Sequence, residues 1–313
     1  MKWFFVVNAR SRCRRTRVVW LGVLLGLVAS PPPILGQAGS PLHRVRSIGL
    51  DSVTVGQVTT FFAPEDRALA TDLAALTDAA ADYFAAAFRG GFPLYLAVLQ
   101  PNTWFDPYQR GTPAPYGMPW GWIPDSLMGV PASLREGVLI VGPDEQADLR
   151  RVRFVMLHEY GHLAAKRYLH PQSDQLYSSV RWFEEFLATY FAYAFVHQAD
   201  AEWARVGRQE WVDFVQADAP ASATLDWSFM FRLPPQQFGR TYAWYQNLLN
   251  VRAADVYSEH GLHFLPELRD RLPWSSSEEW TTEMLLPLLD SVAPGFQTWA
   301  EGLQEGRYIT RPD

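Results

Sequence analysis

The segment RFVMLHEYGHLAAKRYL, residues 153–169, holds two histidines four positions apart, His158 and His162, with Glu159 directly after the first. On an α-helix, residues i and i+4 lie one turn apart on nearly the same face, so both imidazoles can bind one metal ion. Neutral imidazole suits Zn(II), which prefers four ligands and keeps one position for water in a catalytic site. Zn(II) makes such a water acidic, and Glu159 could accept its proton. The spacing therefore predicts a hydrolytic zinc site.

The alternative interpretation is an exposed polar helix face without a metal. The residues that precede the motif argue against it, because an exposed face would not be surrounded by apolar side chains. The apolar neighbours are Val152, Phe154, Val155, Met156 and Leu157. We therefore expect the motif to lie on a helix that packs against the core.

A further ligand is expected from the segment RWFEEFLATYFAYAF, residues 181–195, which predicts a second, strongly apolar helix. Glu184 and Glu185 lie in the middle of it. A buried acid is costly unless it is paired or bound to a cation. The residues alone leave both carboxylates as candidate ligands.

These two segments together resemble the gluzincin zinc metallopeptidases, in which a helical H-E-x-x-H is completed by a glutamate on the next long helix. The aminopeptidase N type carries W-L-x-E-G-x-A-x-Y on that second helix. Four positions of this chain match, namely Trp182, Glu185, Ala188 and Tyr190. Phe183 and Phe186 stand where that pattern has Leu and Gly.

The resemblance implies one Zn(II) per chain, bound by His158, His162 and Glu185, with Glu159 as general base and Glu184 as a neighbour. It also implies a Tyr or His on a later helix that stabilises the oxyanion. Tyr242 is the first choice for that role. Three alternatives remain open, namely Tyr245, His260 and His263.

Other zinc peptidase branches fit less well. A metzincin would need Gly at 165 and His at 168, where this chain has Ala165 and Tyr168, and thermolysin-like enzymes carry an acid where this chain has Thr189. The G-x-M-E-N segment that grips a free amine in the aminopeptidases has no acidic counterpart in YGMPWG, residues 116–121. Action on free N-termini is therefore not predicted.

The first 38 residues have the pattern of a secretory signal peptide. Basic residues come first, at Lys2, Arg10, Arg12, Arg14, Arg15 and Arg17. An apolar run from Val18 to Ala29 follows, and cleavage is predicted near Ala38. This predicts a secreted or periplasmic bacterial protein without a stable membrane span after cleavage. A retained N-terminal anchor is the alternative.

Removal of this leader changes the composition of the chain. It takes away six of the 27 basic residues and none of the 33 acidic ones, so 21 basic against 33 acidic residues leave a net charge of −12. Such an acidic chain argues against a nucleic-acid partner. The sole cysteine, Cys13, lies in the leader, which excludes a thiolate ligand in the mature chain.

The elements predicted from periodicity describe an α+β protein. One or two strands are expected within 40–62, an amphipathic helix within 63–91, strands at 92–99 and 137–142, and a long loop at 101–131 between them. Helices are expected at 144–169, 180–198, 201–216, 239–258, 262–271, 277–290 and 295–304. We expect an α/β part with a mixed sheet at 39–170, which carries the zinc helix, and a mainly helical part at 171–313, which carries the third ligand.

The predicted function is a secreted zinc metallopeptidase with a zincin-like fold that hydrolyses peptide or protein substrates. An extended substrate could pair with an exposed sheet edge, for which the strand at 137–142 is the expected site. Two alternatives are an inactive zincin-fold binding protein and a zinc hydrolase of a non-peptide substrate.

Overall fold

The computed structural model describes residues 49–92, 94–98, 120–122, 138–142, 148–169, 180–226, 229, 233, 235–272 and 280–309. Within these residues the protein is mostly helical with one small sheet, as expected for the α+β class. The leader at 1–38, most of the loop at 101–131 and nearly all of YGMPWG lie outside the described residues.

The sheet contains five strands, which are β1 (Asp51–Val55), β2 (Val58–Phe62), β3 (Leu94–Val98), β4 (Trp120–Trp122) and β5 (Val138–Gly142). Their order is β1-β2-β3-β5-β4. The central pairs β2/β3 and β3/β5 are parallel, and the outer pairs β1/β2 and β4/β5 are antiparallel. The sheet is therefore mixed, as predicted.

The expectation that residues 137–142 form an exposed edge is wrong. β5 lies between β3 and β4, so both of its sides pair with other strands. Among the strands that the structure describes, β4 is the outer one next to β5. Only three residues of the predicted loop form it, too few to show a period-2 pattern.

Helix α1 (Arg67–Phe88) follows the first two strands and contacts both of them. Its apolar face is buried through Leu73, Ala80 and Phe84. The chain reverses at Arg89, which has a left-handed conformation with φ 60°, directly before the glycine pair that predicted the end of the helix.

Two helices that contact each other follow the sheet in the described chain, α2 (Leu149–Ala164) and α3 (Arg181–Ala199). The carboxylate of Asp148 accepts the backbone N–H of Arg150 at 2.8 Å and so caps α2. The predicted helix to residue 169 continues past α2 as one π-helical turn, Ala165–Leu169. α3 is buried from Trp182 to Val196, which agrees with its apolar sequence.

Five more helices complete the described part of the chain: α4 (Ala201–Ala217), α5 (Pro235–His260), α6 (Phe264–Arg271), α7 (Thr282–Val292) and α8 (Phe296–Gln304). They correspond to the predicted helices, with ends shifted by a few residues. α3 contacts α2, α4 and α5, so it is the central helix of this half. No helix of the described residues is long and apolar enough to cross a membrane.

Candidate metal centre

His158, His162 and Glu185 come together between α2 and α3, and one potential ligand atom from each lies within 4.8 Å of the others. The Oε2 atom of Glu185 is 3.0 Å from Nε2 of His158 and 3.7 Å from Nε2 of His162. The two imidazole rings are perpendicular, with centroids 4.9 Å apart. Three groups that the sequence predicts as zinc ligands therefore face one point.

The close approach of α2 and α3 makes this geometry possible. A Cβ atom built on Gly161 would lie 2.2 Å from the carbonyl oxygen of Ala188, far inside contact distance. Only glycine therefore lets the two backbones touch at this point. Since Gly161 is adjacent to His162 and Ala188 is three residues after Glu185, the contact sets the separation of the ligands.

His158 and Glu185 influence each other's protonation. Burial alone would lower the pKa of His158, but the hydrogen bond and the charge of Glu185 outweigh it, so the pKa is raised. Burial would raise the pKa of Glu185, but hydrogen bonds to both histidines and the charge of Arg181 hold it well below its usual range. The carboxylate therefore stays ionised, which is the form that binds a cation.

Glu159 follows His158 on α2 and is less deeply buried than Glu185. Burial of its carboxyl group raises the pKa of Glu159, although the neighbouring histidines lower it in part. A carboxylate with a raised pKa is a stronger base than an ordinary one. The carboxylate of Glu159 is therefore a stronger base than that of an ordinary exposed glutamate.

Arg181 and Tyr242 lie beside the three side chains. The guanidinium of Arg181 is 3.2 Å from Oε1 of Glu185, one helical turn away on α3, so the other oxygen faces the histidines. Tyr242, on α5, is close enough to Glu185 and Arg181 to interact with both. Burial and the charge of Glu185 raise the pKa of Tyr242, so its phenol stays protonated at neutral pH.

The alternatives to Tyr242 have different surroundings. Tyr245 is buried, and its oxygen accepts the backbone N–H of Thr224 at 3.2 Å. His260 ends α5 and lies 3.6 Å from Glu259. At 1.5 Å per residue it is about 27 Å along the helix axis from Tyr242. His263 ends the 3-10 turn Gly261–His263 that follows α5. Tyr242 is the member of this group that the structure brings next to Glu185.

The outer nitrogen of His158 contacts a second set of polar side chains. Nδ1 of His158 is 3.1 Å from the hydroxyl of Thr189 on α3. That hydroxyl donates to Oδ1 of Asn250 on α5 at 2.8 Å. Nε2 of Gln246 donates to the same two oxygens, at 3.4 Å and 3.3 Å. The histidine is thus held from the side opposite Glu185.

The donor set fits a divalent transition metal. Two imidazole nitrogens and one carboxylate oxygen form the ligand combination of many catalytic zinc sites. Glu185, not its neighbour Glu184, supplies the carboxylate of this cluster. Glu184 is also buried on α3.

Four polar residues around this centre were not predicted, although the sequence holds a signal for each. Arg181 precedes Glu185 by four residues, the spacing of a helical ion pair. Gln246 and Asn250 share that spacing on α5, on either side of Leu248 and Leu249. Thr189 was noted only because thermolysin-like enzymes have an acid at its position, although a hydroxyl can also hydrogen-bond a histidine ring.

The fold and these side chains together define an α+β protein with a buried two-histidine, one-glutamate cluster that can hold a metal ion. The sequence matches no protein-family profile and no curated protein. Similar solved structures include a mutant M1 zinc metallopeptidase from Deinococcus radiodurans bound to a Tyr-Ser-Ala substrate, with 14% identity and a TM-score of 0.45. The match covers 83% of this chain and 52% of that one, so this chain spans about half of its length.

Proposed function

We propose that this protein is a zinc metallopeptidase of the gluzincin type with a zincin-like fold. One observation carries the proposal: Oε2 of Glu185 lies 3.0 Å and 3.7 Å from the Nε2 atoms of two histidines spaced four residues apart. A glutamate buried against two imidazoles is costly to maintain unless the group has a role that needs it, and ligation of Zn(II) is such a role.

In this mechanism His158, His162 and Glu185 would hold Zn(II). When bound, the ion supplies a Lewis acid that polarises a carbonyl and lowers the pKa of water. Glu159 accepts the proton of the attacking water and passes it to the amine that leaves. Tyr242, which stays protonated, donates a hydrogen bond to the oxygen on which negative charge develops.

The proposed substrate is an extended peptide or a segment of a protein. Such a segment can add a strand to a sheet edge through main-chain hydrogen bonds. β4 is the outer strand beside β5 in the described sheet, and α2, which carries the histidines, contacts it. A peptide paired with β4 would therefore run beside the metal centre. The predicted leader would export the protein to act outside the cytoplasm.

Metal analysis and peptide cleavage together test this function. The full chain should contain one zinc per molecule and cleave members of an internally quenched peptide library. Glu159→Gln should keep the zinc and lower kcat by roughly 100- to 10,000-fold, because it removes the base and retains the ligands. Glu301→Gln, an exposed change on α8, is the matched control and should cleave like the wild type.

Other outcomes would favour the alternatives. Bound zinc without cleavage of any peptide would favour a binding protein or a hydrolase of another substrate. A chain that binds no zinc would contradict the proposal. Equal cleavage by the wild type and Glu159→Gln would contradict the assignment of Glu159 as the general base.

A further inference from the structure

The hydrogen-bonded chain from His158 through Thr189 to Asn250 connects the metal centre to α5. We propose that Thr189, held by Asn250, is a positioning residue that fixes the ring orientation and the tautomer of His158 for metal binding. The inference rests on the proposed zinc function, and it assigns a role to residues that do not touch the ion themselves.

The direction of the hydrogen bonds follows from the chemistry of the groups. Oδ1 of Asn250 carries no hydrogen, so it can only accept, and the hydroxyl of Thr189 must donate to it. With its one hydrogen used, the Thr189 oxygen accepts from Nδ1–H of His158. The proton of His158 therefore stays on Nδ1. Nε2 lies 3.0 Å from the Glu185 carboxylate, to which it donates when it is protonated, and release of that proton on metal binding frees its lone pair for the ion.

Burial makes this arrangement strict. Thr189 is 0% exposed and Asn250 is 6% exposed. Buried polar groups without partners are costly, so each group in the chain depends on the next. Gln246 adds two further donations, to Thr189 and to Asn250, and so holds both oxygens in place.

The hydrogen-bonded side chains of Thr189, Asn250 and Gln246 are uncharged, since they are a hydroxyl and two amides. A carboxylate in the place of Thr189 would make the imidazole more basic and add a negative charge beside the ligands. The neutral chain orients the ring without this charge. The centre therefore relies on Glu185 for the negative charge that binds the cation.

The affinity of the full chain for Zn(II) tests this role, because simple packing by Thr189 would not control it. The dissociation constant is measured by competition with a chromophoric chelator, together with the visible spectrum of the Co(II)-loaded protein. Thr189→Val keeps the shape but loses the hydroxyl, and zinc binding should weaken by roughly 10- to 100-fold. Thr189→Ser keeps the hydroxyl and should bind like the wild type.

A matched control and a second pair of variants complete the test. Thr77 is an equally buried threonine whose hydroxyl bonds to the backbone oxygen of Leu73 and contacts Sδ of Met156, but none of the three proposed ligands, so Thr77→Val should leave zinc affinity unchanged. Asn250→Asp keeps an acceptor and should retain or tighten zinc binding, whereas Asn250→Leu should weaken it. This pair probes the same chain from its other end if Thr189→Val does not fold.

The proposal is overturned if Thr189→Val and Asn250→Leu bind zinc as tightly as the wild type, or if Thr77→Val weakens binding equally. Such a result would leave the zinc peptidase function intact, because the wild type would still bind zinc and cleave peptides. A wild type that binds no zinc would overturn both.

Discussion

Glu185 is 2% exposed, yet its carboxylate has three basic neighbours. Arg181 holds one oxygen, and His158 and His162 face the other. A buried ion pair is weak evidence for a contribution to stability, because desolvation offsets most of the attraction. The arrangement suits the proposed ligand role, since Arg181 pairs with one oxygen of the carboxylate and leaves the other facing the two imidazoles.

Tyr242 is the residue whose proposed role is easiest to test by itself. Tyr242→Phe removes one hydroxyl beside Glu185 without removing a ligand. We expect kcat to fall by roughly 100- to 1,000-fold, as is typical when an oxyanion donor is lost. The zinc dissociation constant should stay unchanged. Steady-state kinetics on a cleaved peptide, with zinc titration in parallel, checks both values.

Tyr245→Phe is the control for this change, because it removes a phenol from the same helix whose oxygen accepts the N–H of Thr224. It should leave kcat nearly unchanged and lower stability slightly. If Tyr245→Phe lost more activity than Tyr242→Phe, the assignment of the donor would be wrong.

At the scale of elements, the sequence predicts α1, α2 and α3 well because their signals are local. Apolar spacing, the acids before α1 and the glycines after it lie within one segment. The strand β4 was not predicted, since three residues are too few to show the alternation of apolar and polar residues that marks a strand. The position of β5 between two other strands was not predicted either, because strand order depends on pairing between segments far apart in the chain.

The candidate site shows the same division. His158 and His162 form a local pattern, so the sequence predicts that they share a helix face. The expectation that Glu185 lies near the two histidines rested on a family resemblance. The structure brings its carboxylate to the two histidines. The contact between Thr189 and Asn250 joins residues 61 positions apart, and no local pattern predicts it. The ligand and catalytic roles themselves remain predictions.

The contact between α2 and α3 gives a prediction at this scale. Gly161→Ala would place a methyl group 2.2 Å from the carbonyl oxygen of Ala188, so the helices must separate. We expect a loss of about 1–3 kcal/mol in the free energy of unfolding. Zinc binding should weaken too, because His162 would move away from Glu185. Urea unfolding and zinc titration measure the two effects.

Gly207→Ala provides the matched control in α4. There the nearest atom to the added methyl is Cζ2 of Trp211 at 3.8 Å, an ordinary contact. Alanine is a better helix former than glycine by about 1 kcal/mol, so this variant should be as stable as the wild type or more stable. If Gly161→Ala behaved like Gly207→Ala, the close approach would not set the site geometry.

At the scale of the whole molecule, the metal centre connects parts of the chain that are far apart in sequence. His158, His162 and Glu185 connect α2 to α3, and the hydrogen bonds of Thr189 connect α3 to α5. A ligand that binds only the folded state stabilises it by mass action. Zinc should therefore raise the free energy of unfolding of the whole protein.

We expect zinc at about 100 times its dissociation constant to add about 2.7 kcal/mol to the free energy of unfolding. For a chain of this size that corresponds to a rise in Tm of roughly 5 °C, and EDTA should reverse it. Glu185→Gln should abolish the zinc-dependent rise, because it removes the one carboxylate of the cluster. Thermal unfolding followed by circular dichroism, with and without zinc, measures this. An equal rise in Glu185→Gln would mean that zinc stabilises the protein by binding at another site. In that case the negative charge of Glu185, between α2 and α3, would not be needed for zinc binding.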